Sequence, residues 1–128
     1  MATPTTLRNQ WQATSGTTPI TGTTAVQLVA GQTQTDINGG TRQLRNYLTD
    51  LHIFNNSSQA SVVSILDGST VIWSGYVNTI SSGGYGYNLI VNLTTPIHSS
   101  PGNALSIQVS TNGTSIYYSA SGFFATAN

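Results

Sequence analysis

The stretch Ser61-Val62-Val63-Ser64-Ile65-Leu66-Asp67-Gly68-Ser69-Thr70-Val71-Ile72-Trp73-Ser74-Gly75-Tyr76-Val77 decides the fold class. Two runs rich in β-branched residues flank Asp67-Gly68, and a tight turn needs residues that tolerate φ > 0. The pattern reads as a β-hairpin whose register has two solutions. With Asp67-Gly68 alone as the turn, Leu66 pairs with Ser69 and Val62 faces Trp73. With Asp67-Gly68-Ser69 as the loop, Val63, Ile65, Val71 and Trp73 share one face. The glycine position favours the first and the hydrophobic pattern the second, and a slip of one residue would turn a strand inside out. We give the hydrophobic pattern the greater weight. Asp67 itself reads as a turn residue whose carboxylate bonds the backbone two residues on.

On the N-terminal side of the hairpin, residues 25–30 read as a short strand and 31–41 as a loop containing Asn38-Gly39-Gly40. Residues 42–54 form a long strand on which the period of two places Tyr47, Leu51 and Ile53 together. Asn55-Asn56-Ser57-Ser58 then turns the chain into the hairpin. On the C-terminal side, 81–86 is a glycine-rich tip carrying Tyr85, and Tyr87, Leu89, Val91 and Leu93 alternate inward. Leu105, Ile107 and Val109 give the cleanest alternation. Asn112-Gly113 reads as another hairpin turn, leading into a strand on which Ile116, Tyr118, Ala120 and Phe124 line up. Seven or so short strands at regular spacing, with no helical period, predict an all-β domain: a β-sandwich or jelly roll of about seven to eight antiparallel strands.

Residues 1–24 differ from the rest. They hold Pro4, Pro19, Gly16, Gly22 and many threonines with little periodicity, so they read as an extended N-terminal arm ahead of a domain spanning 25–128. Trp11 stands out there. A large aromatic in a polar arm either anchors it at an interface or folds back onto its own domain.

Composition narrows the partners. The chain has 128 residues, enough for one domain, and no cysteine, so thiol and disulfide chemistry are absent. Charged residues make up 5%, against about a quarter in ordinary soluble domains. They are Arg8, Arg42, Arg45, Asp36, Asp50 and Asp67, with a net charge of zero. Such a surface has little field with which to attract phosphate backbones or anionic lipid, which argues against nucleic acid and membrane as partners. Low net charge also weakens the repulsion that keeps molecules apart, which suits assembly. The start, Met1-Ala2-Thr3-Pro4-Thr5-Thr6, has neither the basic opening nor the apolar run of a signal peptide.

Catalytic chemistry has little to stand on, and no cofactor is expected. Asp50 and His52 share one strand face, but a metal or acid–base site would need a third group from His98, Asp36 or Asp67, and no spacing supports one. No serine sits in a nucleophile elbow, Gly83-Gly84-Tyr85-Gly86 lacks the lysine and helix of a phosphate loop, and no glutamate is present for an acidic pair. The sequons at Asn55, Asn56, Asn92 and Asn112 are expected by chance in a chain this rich in Asn, Ser and Thr. Candidate partner-binding residues are Arg8, Trp11, Arg42, Arg45 and Tyr85. Arg42 and Arg45 lie on opposite faces of the long strand, and Tyr85 sits at an exposed tip.

From Leu44 onward a recognisable order of strands and turns appears: Leu44-Arg45-Asn46-Tyr47-Leu48-Thr49, Ile53-Phe54-Asn55-Asn56-Ser57, Leu66-Asp67-Gly68-Ser69-Thr70-Val71-Ile72-Trp73, Asn103-Ala104-Leu105-Ser106-Ile107-Gln108 and Tyr118-Ser119-Ala120-Ser121-Gly122-Phe123. It resembles the small proteins that decorate or cement the heads of tailed bacteriophages. The resemblance implies a non-enzymatic virion protein on the outer capsid surface, made in the host cytoplasm. It further implies bridging of neighbouring major capsid protein subunits by a homo-oligomer, a trimer before a dimer. The arm would then add a strand to a neighbour's sheet edge or lie along it, with Trp11 as its anchor. The competing expectation is a tail-fibre or adhesin-type carbohydrate-recognition module that binds through exposed tyrosines such as Tyr85.

Overall fold

The computed structural model describes residues 9–79 and 86–126. Among these the chain is all-β, in nine strands: β1 (Asn9–Thr14), β2 (Val26–Val29), β3 (Gln32–Thr35), β4 (Thr41–Asn55), β5 (Ser61–Asp67), β6 (Thr70–Val77), β7 (Tyr87–His98), β8 (Leu105–Val109) and β9 (Ile116–Thr126). They form two antiparallel sheets. In the larger, β9 pairs along one side of the long β4 with β1 outside it, while β3 and β7 share the other side of β4. The smaller runs β2-β8-β5-β6. Alternate residues of both sheets meet in one core: Leu51 and Ile53 of β4 and Ile116 and Ala120 of β9 join Val63 and Ile65 of β5 and Leu105, Ile107 and Val109 of β8. The alternation expected for β8 and β9 is the alternation observed.

The central hairpin is present in a third register. Asp67 pairs with Thr70 across the two residues Gly68 and Ser69, and Gly68 has φ +61°, at the turn position where a type II′ hairpin favours glycine. Between Ile65 and Leu66 the pairing shifts, so that Leu66 faces Val71 but Ile65 faces Trp73. Ile72 is the extra residue of this bulge and packs against the core, whereas Val71 is half exposed. Val63, Ile65 and Trp73 therefore share a face as expected, and Val71 does not. The two-residue turn satisfies the glycine, and the bulge restores the hydrophobic face that such a turn would otherwise lose.

A second bulge corrects the reading of β4. Register shifts between Leu48 and Asp50, leaving Thr49 as the extra residue against β9. Leu44, Asn46 and Leu48 point inward before it, and Leu51, Ile53 and Asn55 after it. Tyr47 thus lies on the face opposite Leu51 and Ile53, not with them. Two connections also differ. Residues 31–41, expected to be loop throughout, contain β3, whose sequence Gln-Thr-Gln-Thr offers no apolar signal. Asn112-Gly113 does not close a hairpin, because β8 and β9 belong to different sheets.

The described part of residues 1–24 lies on the domain. β1 pairs with β9 from Asn9↔Phe124 to Thr14↔Ser119, and Ile20 bridges to Ile116. Trp11 is 8% exposed and belongs to the core, which is the second of the two fates open to it. It lies opposite Gly122, where a Cβ would run into both the indole and the Tyr47 carbonyl. A glycine on β9 is what makes room for the tryptophan, a pairing across 111 residues that periodicity does not reveal.

Two buried asparagines fasten the ends of β4. The amide of Asn46 donates to the Ala30 and Asn103 carbonyls at 2.9 and 3.0 Å. That of Asn55 donates to the Gln59 and Asn78 carbonyls at 2.9 and 2.8 Å. Both are fully buried, which also makes the sequon at Asn55 inaccessible in the folded chain. Their bonds satisfy loop carbonyls that would otherwise be left unpaired inside the protein.

Candidate functional site

The face of the larger sheet turned away from the core is where side chains with unused chemistry collect. Pairing places its residues in rows across the strands. The first row is Gln10, Phe123, Tyr47 and His98, and the second is Gln12, Ser121, Asp50 and Asn92. The third is Thr14, Ser119, His52 and Ile90, followed by Tyr117, Phe54 and Asn88. The bulge at Thr49 brings Tyr47 onto the same side as Asp50 and His52.

The first row is aromatic. Tyr47 and Phe123 stack with ring centroids 4.7 Å apart at 7°, and His98 tilts against the other side of Tyr47 at 5.3 Å. Offset stacking of this kind adds about 0.5–1.5 kcal/mol beyond area burial. At the His98 end, the Arg45 guanidinium meets His98 Nδ1 at 3.0 Å and donates to the Ser99 carbonyl at 3.2 Å. At the other end of the sheet, Phe54 and Tyr117 make a looser pair at 6.3 Å, beside His52, whose Nε2 lies 3.0 Å from Asn88 Oδ1.

The second row is polar and partly pre-set. Thr49 Oγ1 donates to Asp50 Oδ2 at 3.0 Å, and Ser121 Oγ approaches the same oxygen at 3.4 Å. Among the described residues, Oδ1 of Asp50 and the side-chain amides of Gln10 and Gln12 have no hydrogen-bond partner in the protein. A cleft of about 340 Å³ opens between β1 and β4 here, lined by Gln10, Gln12, Asp50, Ser121 and Phe123. A scan against protein-family models finds no match, and a search of curated proteins finds no similar sequence.

The residues singled out from sequence do not converge. Trp11 is in the core. Arg42 is exposed at the start of β4, in a surface depression with Thr33, Gln43 and Pro101, while Arg45 is half buried against His98. Arg8 and Tyr85 lie outside the described residues, as does most of the glycine-rich tip. Asp50 and His52 do share a face, in adjoining rows, but no group of three metal-ligating side chains occurs among the described residues. Asp67 does not bond its own turn in the way expected. It accepts hydrogen bonds from Ser100 Oγ at 2.7 Å and Asn103 Nδ2 at 3.0 Å, tying the hairpin tip to the β7–β8 loop. Tyr118 is held above its ordinary pKa by burial, as befits a core residue. Tyr87 has the expected parity but stays exposed at the start of β7. The sequence reading missed Tyr47 and Phe123 as a surface pair. Phe123 was legible as the residue alternating against Phe124; Tyr47 was not, because nothing in the residues announces the bulge.

Proposed function

We propose that this chain is a structural virion protein that decorates and cements the outer surface of a tailed-bacteriophage head, bridging neighbouring major capsid subunits as a homo-oligomer, a trimer before a dimer. The observation that carries this reading is where the charges lie. Soluble β-proteins protect their edges with lysine or other charges. Here β1, β2, β3, β6 and β7, which form the sheet margins, contain no Lys, Arg, Asp or Glu. The charged strand residues Arg42, Arg45, Asp50 and Asp67 sit on the interior strands β4 and β5. Of the seven large apolar side chains exposed among the described residues, five, Val26, Val71, Tyr76, Tyr87 and Ile90, lie on margin strands, while Val62 lies on β5 and Ile37 in the β3–β4 turn. Such margins favour pairing with a neighbour over staying in water.

The finer fold reading is a jelly roll. With the short β3 set aside, β1-β9-β4-β7 facing β2-β8-β5-β6 is the interleaved order of two Greek keys. Jelly rolls recur in viral capsid and lectin domains, an analogy of architecture that is compatible with this role without fixing it. In the mechanism that follows, backbone groups and apolar side chains at the margins make weak contacts, and repetition over a lattice turns them into a strong clamp through effective concentration. Opening a joint between capsomers then requires breaking these contacts too. Purified chain added to expanded heads that lack it is expected to bind and raise their inactivation temperature, while Ile90→Lys folds normally and fails to protect. Heads left undecorated by the native chain would overturn the reading.

A further inference from the structure

A sheet face built for packing alone has no need of an oriented carboxylate beside an open ring. We propose that the cleft bounded by Gln10, Gln12, Asp50, Ser121 and Phe123 binds one pyranose ring of a neutral glycan. This goes beyond the decoration reading and does not depend on it.

Three features fit that ligand. Tyr47 occupies one face of Phe123 and holds the ring in place, while Phe123 borders the cleft on the side of Gln10 and Gln12. An aromatic face carries negative quadrupole density and attracts the weakly positive C–H edge of a sugar ring. Residues two apart on a strand are about 7 Å apart, so the polar row lies one sugar's width from that aromatic surface. In the polar row, the Thr49 hydroxyl lies 3.0 Å from Asp50 Oδ2 and 3.1 Å from the Ser121 carbonyl, and Ser121 Oγ lies 3.4 Å from the same Oδ2. The protein's donors thus gather on one oxygen of Asp50 and leave Oδ1 to accept from a hydroxyl. Gln10 and Gln12, exposed on β1, each add a donor and an acceptor. A cleft of about 340 Å³ falls at the small end of ligand sites.

Charge selects against the alternatives. An anionic ligand would meet Asp50, and among the described residues the guanidinium on this face, Arg45, is already engaged by His98 and Ser99. A sugar offers hydroxyls to the carboxylate and apolar C–H groups to the ring, and brings no charge of its own.

The test is a titration of the full ¹⁵N-labelled chain with methyl glycosides of glucose, galactose, mannose and N-acetylglucosamine, and with inorganic phosphate as the anionic probe. At least one glycoside is expected to shift the amides of Gln10, Gln12, Asp50, Ser121 and Phe123 with a saturable, millimolar constant. Asp50→Asn should then weaken binding about tenfold or more, since a hydrogen bond to a charged acceptor is lost. Gln12→Ala, which touches neither the core nor the ring stack, should weaken it by a smaller factor. The unfolding midpoint of each variant verifies that it is folded. Absence of shifts with all four glycosides, shifts confined to another surface, stronger binding of phosphate, or an Asp50→Asn variant that binds like the native chain would each overturn the proposal.

Discussion

On the outer face of the larger sheet, Phe123, Tyr47 and His98 stand beside Ser121, Asp50 and Asn92. On the outer face of the smaller sheet, a row across β6, β5 and β8 is Ser74, Ser64 and Gln108. There the groups answer one another: Ser64 and Ser74 hydroxyls lie 2.9 Å apart, and Gln108 donates to the Thr23 carbonyl at 2.9 Å. Their hydrogen-bonding capacity is largely spent at home. In the larger sheet, Asp50 keeps an oxygen and β1 keeps two amides without partners among the described residues. The inner faces obey one rule, since both must fill a common core. The outer faces are free to diverge, and that freedom is where recognition chemistry can settle.

If the inner faces are equivalent, truncating either should cost alike. Ile53→Ala in the larger sheet and Ile65→Ala in the smaller remove fully buried side chains from the same cluster. Each is expected to lower stability by about 2–5 kcal/mol in urea unfolding, with a single transition for both. Two separate transitions, or one silent substitution, would show that the sheets do not share a core.

The next test concerns the margin of the larger sheet. Gly122→Ala places a Cβ against the Trp11 indole and the Tyr47 carbonyl, and neither the indole ring nor the backbone can yield cheaply. A loss of about 1–3 kcal/mol is expected, accompanied by a red shift of tryptophan emission as β1 loosens from β9. Unchanged emission would mean that Trp11 does not depend on the glycine for its place.

The same contrast explains which parts of the molecule were legible in advance. Leu105, Ile107, Val109, Ile116, Tyr118 and Ala120 could be placed because strict alternation follows directly from burying one face of a strand. The hairpin at Gly68 was visible because φ > 0 is a demand that few residues meet. The bulges at Thr49 and Ile72 were hidden, since an extra residue is tolerated wherever the far strand can accommodate it and leaves no mark on composition. Each bulge reverses parity beyond itself, so plain alternation puts Tyr47 and Val71 on the wrong side. β1 was hidden for another reason: its pairing is set by Gly122, far along the chain. The candidate site lies where both kinds of long-range information meet.

A smaller effect separates the outer faces themselves. Tyr47→Ala removes a ring stacked on Phe123 and is expected to cost about 1 kcal/mol. Ser64→Ala removes an exposed hydroxyl pair from the smaller sheet and should change stability by less than about 0.5 kcal/mol. Thermal unfolding of the two variants side by side measures the difference. Equal values would mean that the aromatic row contributes no more order than the serine row.

A small, pH-dependent effect comes from Asp67, the carboxylate of the smaller sheet, which joins its hairpin tip to the loop leaving β7. Partial burial pushes its pKa up. Hydrogen bonds from the Ser100 side chain and backbone, then from Asn103, and the charge of His98 outweigh that push, so the net shift is downward. A folded pKa below the unfolded one means that the ionised form is favoured by folding. The stabilisation is therefore complete above the ordinary carboxylate value of about 4 and is lost as pH falls from there through the lowered value. Because the group is partly solvated, the contribution is expected to stay under about 1 kcal/mol. Asp67→Asn should accordingly melt slightly below the native chain at pH 7, with the gap closing as pH falls below about 4. A gap that persisted in acid would assign the loss to altered hydrogen bonds at the hairpin tip and not to the carboxylate's charge.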